Sequence, residues 1–186
     1  MLSGAWRCII RQPCFLNSQQ YLSERFFMKS QMHNFIIATA LTLPMPAMAL
    51  SITTTSNGTA LANGLVGSGV TVSNVTLQGA ATQQGTFSGG FASGIGIENG
   101  VILTSGNAND AVGPNNSSST TSITGSGSHS SLAGLIGVPS VNDANVLSFD
   151  FQTTTGDLYF KYVFASEEYN ESVGSKYNDV FGSFVD

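Results

Sequence analysis

The feature that most constrains the fold is the alternation of apolar and polar residues in two successive stretches, 146–151 and 157–165. A period of two is typical of β-strands with one face in a hydrophobic core. The apolar face is largely aromatic and consists of Leu147, Phe149, Phe151, Leu158, Phe160, Tyr162 and Phe164. A face of this kind needs an opposing layer to cover it. The short connection between the stretches, residues 152–156, predicts an antiparallel hairpin.

The rest of the sequence after residue 50 predicts short strands separated by turns. Apolar runs alternate there with Gly, Ser, Thr and Asn, which is typical of an all-β domain. Residues 105–131 are expected to be a mobile, low-complexity surface loop. The predicted elements are an edge strand at 51–55, a short helix at 59–65, a strand at 70–77 with a bulge at Ser73-Asn74, a hairpin joining 95–97 to 101–103 through Asn99-Gly100, and a helical turn at 132–136.

These elements together predict the fold class. Two layers of antiparallel strands would hide the aromatic face, so we expect an all-β domain, an antiparallel β-sandwich of jelly-roll type. The last run, residues 180–185, reads as one more strand, and the sequence stops directly after it at Asp186. We therefore expect a sandwich that is incomplete at the C-terminus, with an unpaired edge on this strand.

The first 49 residues are expected to lie outside the mature domain. Residues 28–49 have the build of a secretory signal peptide, with a short apolar core and the small-residue cleavage motif Ala47-Met48-Ala49. That core is too short to span a bilayer comfortably. No transmembrane span is expected in the mature part either. Residues 1–27, which hold Cys8 and Cys14, are expected to be a start-site artefact or a disordered extension. The exported domain is then residues 50–186, secreted or displayed at the cell surface.

The charge of the mature part excludes one class of partner. From Leu50 onward the sequence holds two lysines and ten acidic residues, a net charge of −8, whereas the whole chain carries −5. An acidic surface without arginine repels phosphate backbones, so nucleic acid is not an expected partner. Divalent cations, an extracellular polysaccharide or a surface protein fit this charge better. The oligomeric state is left open.

The acidic residues of the mature chain concentrate in the loop before residues 180–185. Its carboxylates are Glu167, Glu168, Glu171 and Asp179, and oxygen ligands in one loop suit Ca²⁺. A metal site formed by these four residues is one hypothesis, and Ca²⁺ is the one cofactor that it suggests. The loop lacks the D-x-[DN]-x-[DN]-G pattern of an EF-hand. The alternatives are a solvated acidic loop or a glutamate that accepts backbone N–H bonds.

Tyr169 and Tyr177 of the same loop are candidate ligand-binding residues. Aromatic rings at a loop edge stack on sugars or pack into protein interfaces, although ordinary packing in the core or at its rim is the alternative. The sequence gives little support to catalysis. A glycosidase needs two carboxylates about 5 to 9 Å apart across a cleft, and His129 lies in a Gly/Ser tract without a strand-positioned nucleophile. No enzymatic activity is expected.

Four stretches carry a resemblance to a known family. They are LVGSGVTVSNVTLQGA (65–80), GTFSGG (85–90), GIGIENGVILTSGNANDAVGPNN (94–116) and YVFASEEYNESVGSKYNDVFGSFVD (162–186), of which the last is the most specific. On these residues the chain resembles the choice-of-anchor L family of secreted bacterial domains. The resemblance implies an exported, non-catalytic domain followed by a C-terminal sorting or anchoring signal. We expect a module for adhesion or assembly with a structural Ca²⁺, or alternatively a lectin-like carbohydrate-binding domain.

Overall fold

The computed structural model describes residues 2–11 as backbone, and residues 50–114, 117, 120, 123–154, 160–166, 172–175 and 179–185 with their side chains. In chain order the elements of these ranges are β1 (Leu2–Arg11), β2 (Ser51–Thr54), α1 (Gly58–Leu65), β3 (Val70–Gln78), β4 (Gln84–Ser88), β5 (Gly100–Leu103), a 3₁₀ helix (Ala108–Val112), α2 (Ser130–Ile136), β6 (Asn145–Thr153) and β7 (Val180–Val185).

The described strands form two antiparallel sheets. One has the order β3-β6-β1-β7 and the other the order β2-β4-β5. The regular secondary structure of the described ranges is therefore mostly antiparallel strand with a few short helices, as the sequence predicts for the all-β class. The jelly-roll sandwich stays a prediction.

In strand β3 the alternation of apolar and polar residues shifts by one residue, and the strand has a bulge at that point. Its pairing with β6 shifts register between Ser73 and Thr76. Asn74, at the shift, has a φ of +50°, a left-handed conformation that asparagine tolerates better than most residues. The bulge lets Val72 and Leu77 both pack against the first core. The bulge predicted at Ser73-Asn74 is confirmed.

The two predicted helices are also confirmed, with different starts. The sequence begins the first helix at residue 59, but the structure begins α1 at Gly58, with Asn57 as its N-cap. The Asn57 side chain accepts a hydrogen bond from the backbone N–H of Ala60 at 3.0 Å, which satisfies one N–H group of the first turn. The second helix, α2, ends at Gly137, whose φ of +68° is a conformation that glycine adopts without strain.

The first hydrophobic core lies between the two sheets and α1. Leu147, Phe149 and Phe151 of β6 meet Leu61 of α1 and Leu103 of β5, and all of these side chains are buried. The three β6 residues are those that the alternating pattern places on one face. This core therefore confirms the predicted inward face of β6.

The second core lies on the opposite face of the four-stranded sheet. Leu132 of α2 packs there with Val141, Val146 of β6 and Val180 of β7. Val146 and Leu147 are adjacent in sequence and point to opposite faces of the strand, so β6 contributes to both cores. Among the described strands, β7 lies at the edge of its sheet and pairs with β1 on one side.

The predicted hairpin at Asn99-Gly100 is wrong. Residues 95–97 form no strand, and β5 pairs with β4 instead. The chain between β4 and β5 folds back on itself because the N–H of Gly90 donates to the Glu98 carbonyl and the N–H of Ile95 donates to the Gly90 carbonyl. These bonds use the backbone groups that a hairpin ladder would need.

The predicted strand at 157–165 is wrong for the residues that are described there. Residues 160–165 belong to no strand or helix, and residues 155–159 lie outside the described part of the chain. The partner of β6 on that side is β1, with Trp6 opposite Phe149. Residues 2–11 therefore pair within the sheet. The interpretation of residues 1–27 as a start-site artefact or a disordered extension stays a prediction. The signal peptide at 28–49 lies outside the described residues and stays a prediction.

Candidate functional site

The acidic loop is described only at its two ends and at a turn. Asp179 is described, whereas Glu167, Glu168, Glu171 and both candidate tyrosines, Tyr169 and Tyr177, lie outside the described residues. The structure therefore does not test the predicted metal and ligand sites. Among the residues that are described, no group of three or more His, Cys, Asp or Glu side chains lies together.

The two described ends of this loop meet. The Ser166 hydroxyl donates a hydrogen bond to Oδ2 of Asp179. Ser166 follows the buried Ala165, and Asp179 precedes the buried Val180 of β7. A turn between them is closed by a hydrogen bond of 2.9 Å from the N–H of Ser175 to the Ser172 carbonyl. Ser166 and Asp179, thirteen residues apart in sequence, are therefore held together by their side chains.

A row of aromatic rings lies beside these loop ends. The ring of Tyr162 stacks on that of Phe181 in β7 with a centroid distance of 5.1 Å, and Phe160 and Phe164 flank the pair. Tyr162 is 61% exposed and Phe160 is 48% exposed. The row is therefore an exposed aromatic patch next to the acidic loop.

The low-complexity tract is held to the sheet by Asp143. One carboxylate oxygen, Oδ1, accepts hydrogen bonds from the N–H of Gly125 at 2.7 Å, from the hydroxyl of Thr124 at 3.0 Å and from the N–H of Thr124 at 3.2 Å. Ser126 continues the attachment, because its hydroxyl donates to the Ala144 carbonyl at 3.0 Å. Residues 124–126 of the predicted mobile loop 105–131 are therefore hydrogen-bonded to the segment that leads into β6. The mobility of the loop stays a prediction.

Beside Asp143 an open pocket of about 470 Å³ lies between the tract and the chain that leads to β6. Its walls are mostly backbone and small polar side chains, namely Ile123, Gly125, Gly127, Ser128, Ser140, Val141, Asn142 and Asp143. Among the described residues that line the pocket, Asp143 is the one that carries a charge. The same carboxylate accepts the hydrogen bonds of Thr124 and Gly125 that attach the tract.

A buried amide network connects both sheets beneath this pocket. The Gln83 side-chain amide donates to the carbonyls of Ser105 at 2.8 Å and Asp143 at 3.0 Å. The Asn145 amide donates to the carbonyls of Gln83 at 2.9 Å and Thr104 at 3.1 Å. Both side chains are fully buried. The sequence did not indicate these residues, because a glutamine or asparagine at a strand end resembles an exposed one.

Comparison with models of protein families shows to which family the chain is related. A model described as the Choice-of-anchor L domain matches residues 51–186. The chain belongs to the choice-of-anchor L family. The matched part of the choice-of-anchor L domain begins at β2 and includes β7, and it leaves β1 outside. No curated protein and no solved structure matches the chain.

Membership of the choice-of-anchor L family has a consequence for localisation. The family is one of modules associated with the cell surface, so the chain is a surface-associated protein. Within the described ranges, no helix has the length and apolarity that crossing a membrane requires. The resemblance seen in the four sequence stretches is confirmed.

Proposed function

We propose that this choice-of-anchor L domain is an exported, non-catalytic module that acts in adhesion or assembly at the cell surface. The family supports the surface location, and the leader at 28–49 supplies the route of export. The net charge of −8 after Leu50 suits a partner that is neutral or cationic. The jelly-roll form of the two sheets is part of the same proposal.

The hydrogen bond between Ser166 and Asp179 is the observation that supports the acidic loop as the functional element. It closes the base of the loop, so the segment that contains Glu167, Glu168 and Glu171 starts and ends at one edge of the domain. We propose that these three glutamates and Asp179 bind a structural Ca²⁺, because that ion takes six to eight oxygen ligands in flexible geometry. The bound ion would give the loop one defined shape for contact with a partner.

Calorimetric melting of the full chain with Ca²⁺ or with EGTA tests the ion. Saturating Ca²⁺ should raise the melting temperature by about 5 °C, because a ligand that binds the native state alone stabilises it. The Asp179→Asn variant should lose most of this shift, and the charge-matched Asp110→Asn variant on the 3₁₀ helix should keep it. Identical melting curves with Ca²⁺ and EGTA would remove the metal from the proposal.

Assembly at the surface needs its own test, independent of the metal. Purified chain immobilised on beads should retain isolated cell walls or matrix polysaccharide of the producing cells. The triple variant Glu167→Gln, Glu168→Gln, Glu171→Gln should reduce this retention if the loop is the contact. Equal retention by the variant would assign the contact to another surface.

The exposed aromatic patch favours a second candidate, a lectin-like carbohydrate-binding domain. Exposed tyrosine rings stack on sugar faces, and Tyr162 lies beside the loop that carries Tyr169 and Tyr177. Glycan-array binding separates the two functions. A specific glycan signal that Tyr169→Ala abolishes would favour the lectin, and the absence of any glycan signal would leave adhesion or assembly as the proposal.

A further inference from the structure

β1 occupies a position in its sheet that residues 160–166 could also occupy. It lies between β6 and β7 and pairs antiparallel with both, so β6 and β7 run in the same direction. We call this place the central strand position. In a simple β-meander, the segment between β6 and β7 in sequence would run antiparallel through it.

The described part of that segment lies beside β7, although it forms no strand there. The Phe164 ring lies 6.1 Å from the ring of Phe181. Two residues further along, Ser166 bonds Asp179, which is two residues earlier than Phe181. In an antiparallel ladder, moving two residues forward along one strand corresponds to moving two residues back along its partner. An antiparallel ladder that continues from the Ser166–Asp179 pair would place Phe164 opposite Phe181. The ring of Tyr162, which stacks on Phe181 at 5.1 Å, would lie one step further along the same face.

That register coincides with the register of β1. In the sheet, Ile10 of β1 lies opposite Phe181, the residue that Phe164 would face in the register set by the Ser166–Asp179 pair. Stepping back from this shared point, residues 160–164 align with residues 6–10. The two sequences are FKYVF and WRCII, so each has an aromatic residue first, a basic residue second and apolar or β-branched residues in the last two places. β1 thus repeats the chemical pattern of residues 160–164.

The side-chain faces agree with this alignment. With β6 and β7 left in place, Phe160 would take the place of Trp6, opposite Phe149 and Val185. Phe149 belongs to the first core, so alternation would direct Phe160, Tyr162 and Phe164 to that core. Val163, which is 44% exposed, would take the place of Ile9 opposite Val146 of the second core. The move would therefore bury the aromatic patch.

We propose that β1 and residues 160–166 compete for the central strand position, and that residues 160–166 occupy it in the exported domain. Cleavage before Leu50 removes β1 and vacates the position. The choice-of-anchor L match, which begins at residue 51, describes a domain without β1. The statement about the exported domain rests on the leader removal proposed above, whereas the competition itself does not. Residues 160–166 in this position would leave Tyr169 and Tyr177 as the sugar-stacking candidates.

Disulfide trapping in the full chain tests the competition. In the proposed register Lys161 takes the place of Arg7 opposite Ser148, so Ser148→Cys and Lys161→Cys would bring two thiols together across the ladder. Cys8→Ser and Cys14→Ser remove the native thiols. Into this background Ile9→Pro is introduced, because proline cannot donate to a ladder on either side of a central strand. Ile9→Val is the matched control.

Ile9→Pro should raise the disulfide yield about tenfold over Ile9→Val, because loss of one competitor shifts the population toward the other. The chain should still melt cooperatively. The pair Ser148→Cys and Tyr162→Cys, whose thiols would lie on opposite faces of the sheet, should stay at the low yield in both backgrounds. Equal yields for Ile9→Pro and Ile9→Val overturn the proposal, and so does a loss of cooperative melting in Ile9→Pro. Equal trapping of both cysteine pairs would also overturn it, because only an unstructured segment gives that result.

Discussion

Asp143 and Gly125 are joined by a hydrogen bond of 2.7 Å from the glycine N–H to the carboxylate, across eighteen residues of sequence. Thr124 adds two more donors to the same oxygen. Asp143 itself has a φ of +53°. One carboxylate therefore fixes the glycine- and serine-rich tract to the start of β6.

Replacement of Asp143 should destabilise the domain, and the loss should be larger with alanine than with asparagine. Asp143→Ala removes the acceptor of three bonds and places alanine in a left-handed conformation, so the free energy of unfolding should fall by about 3 kcal/mol. Asp143→Asn keeps an acceptor and a residue that tolerates positive φ, so the loss should be about 1 kcal/mol. Urea unfolding measures both values. Similar losses for the two variants would contradict the assigned role of the acceptor.

Gly85 should be essential for the pairing of β2 with β4. A Cβ atom at this position would collide with the backbone carbonyl oxygen of Thr53 on the neighbouring strand. Gly85→Ala should therefore lower the free energy of unfolding by about 3 kcal/mol, because the strands must separate to admit the methyl group. Gly67→Ala is the control, since nothing lies within 4 Å of its Cβ position. Thermal unfolding of the two variants should differ clearly, and equal melting temperatures would disprove the close approach.

Leu147 should contribute more to stability than any exposed leucine. It is fully buried in the first core, so Leu147→Ala should leave a cavity and cost about 3 kcal/mol. Leu135 of α2 is 53% exposed, and Leu135→Ala should cost less than about 1 kcal/mol. Chemical denaturation of both variants measures the difference. A small loss at Leu147 would indicate a core that collapses around the missing atoms.

The start of α1 can be located by capping variants. Asn57 accepts a hydrogen bond from the N–H of Ala60, so Asn57→Ala should cost about 1 kcal/mol. Thr59, the residue at which the sequence predicts the start of the helix, lies inside α1 and is exposed, and Thr59→Ala should be nearly neutral. Equilibrium unfolding in urea measures both. A larger loss for Thr59→Ala than for Asn57→Ala would restore the start predicted from the sequence.

Local patterns in the sequence were sufficient to predict several elements of the fold. The phase change at Ser73-Asn74 predicted the bulge of β3 because a strand must shift by one residue to keep both halves on the core. The alternation from Val146 to Phe151 predicted which side chains of β6 face the first core. For the candidate site the sequence predicted four carboxylates of the acidic loop as metal ligands, and of these four Asp179 is the one that is described.

Contacts between distant segments were beyond the reach of sequence patterns. Gln83 and Asn145 bond across sixty-two residues, and neither residue differs in type from an exposed amide. The hairpin at Asn99-Gly100 failed because an Asn-Gly turn signal specifies a local bend, and the nearby glycines allowed a different bend. The attachment of the tract to Asp143 was not predicted, because its donors, Thr124 and Gly125, lie in a tract without periodicity.

The amino-acid sequence determined which segments are extended and which of their faces are apolar, since those properties follow from alternation within a few neighbouring residues. The tertiary structure decided which strand pairs with which. Backbone N–H and C=O groups are alike in every strand, so a ladder can accept any segment of suitable direction and face. The shared chemistry of residues 6–10 and 160–164 illustrates this, because both stretches suit the edges of β6 and β7 and only three-dimensional packing selects between them.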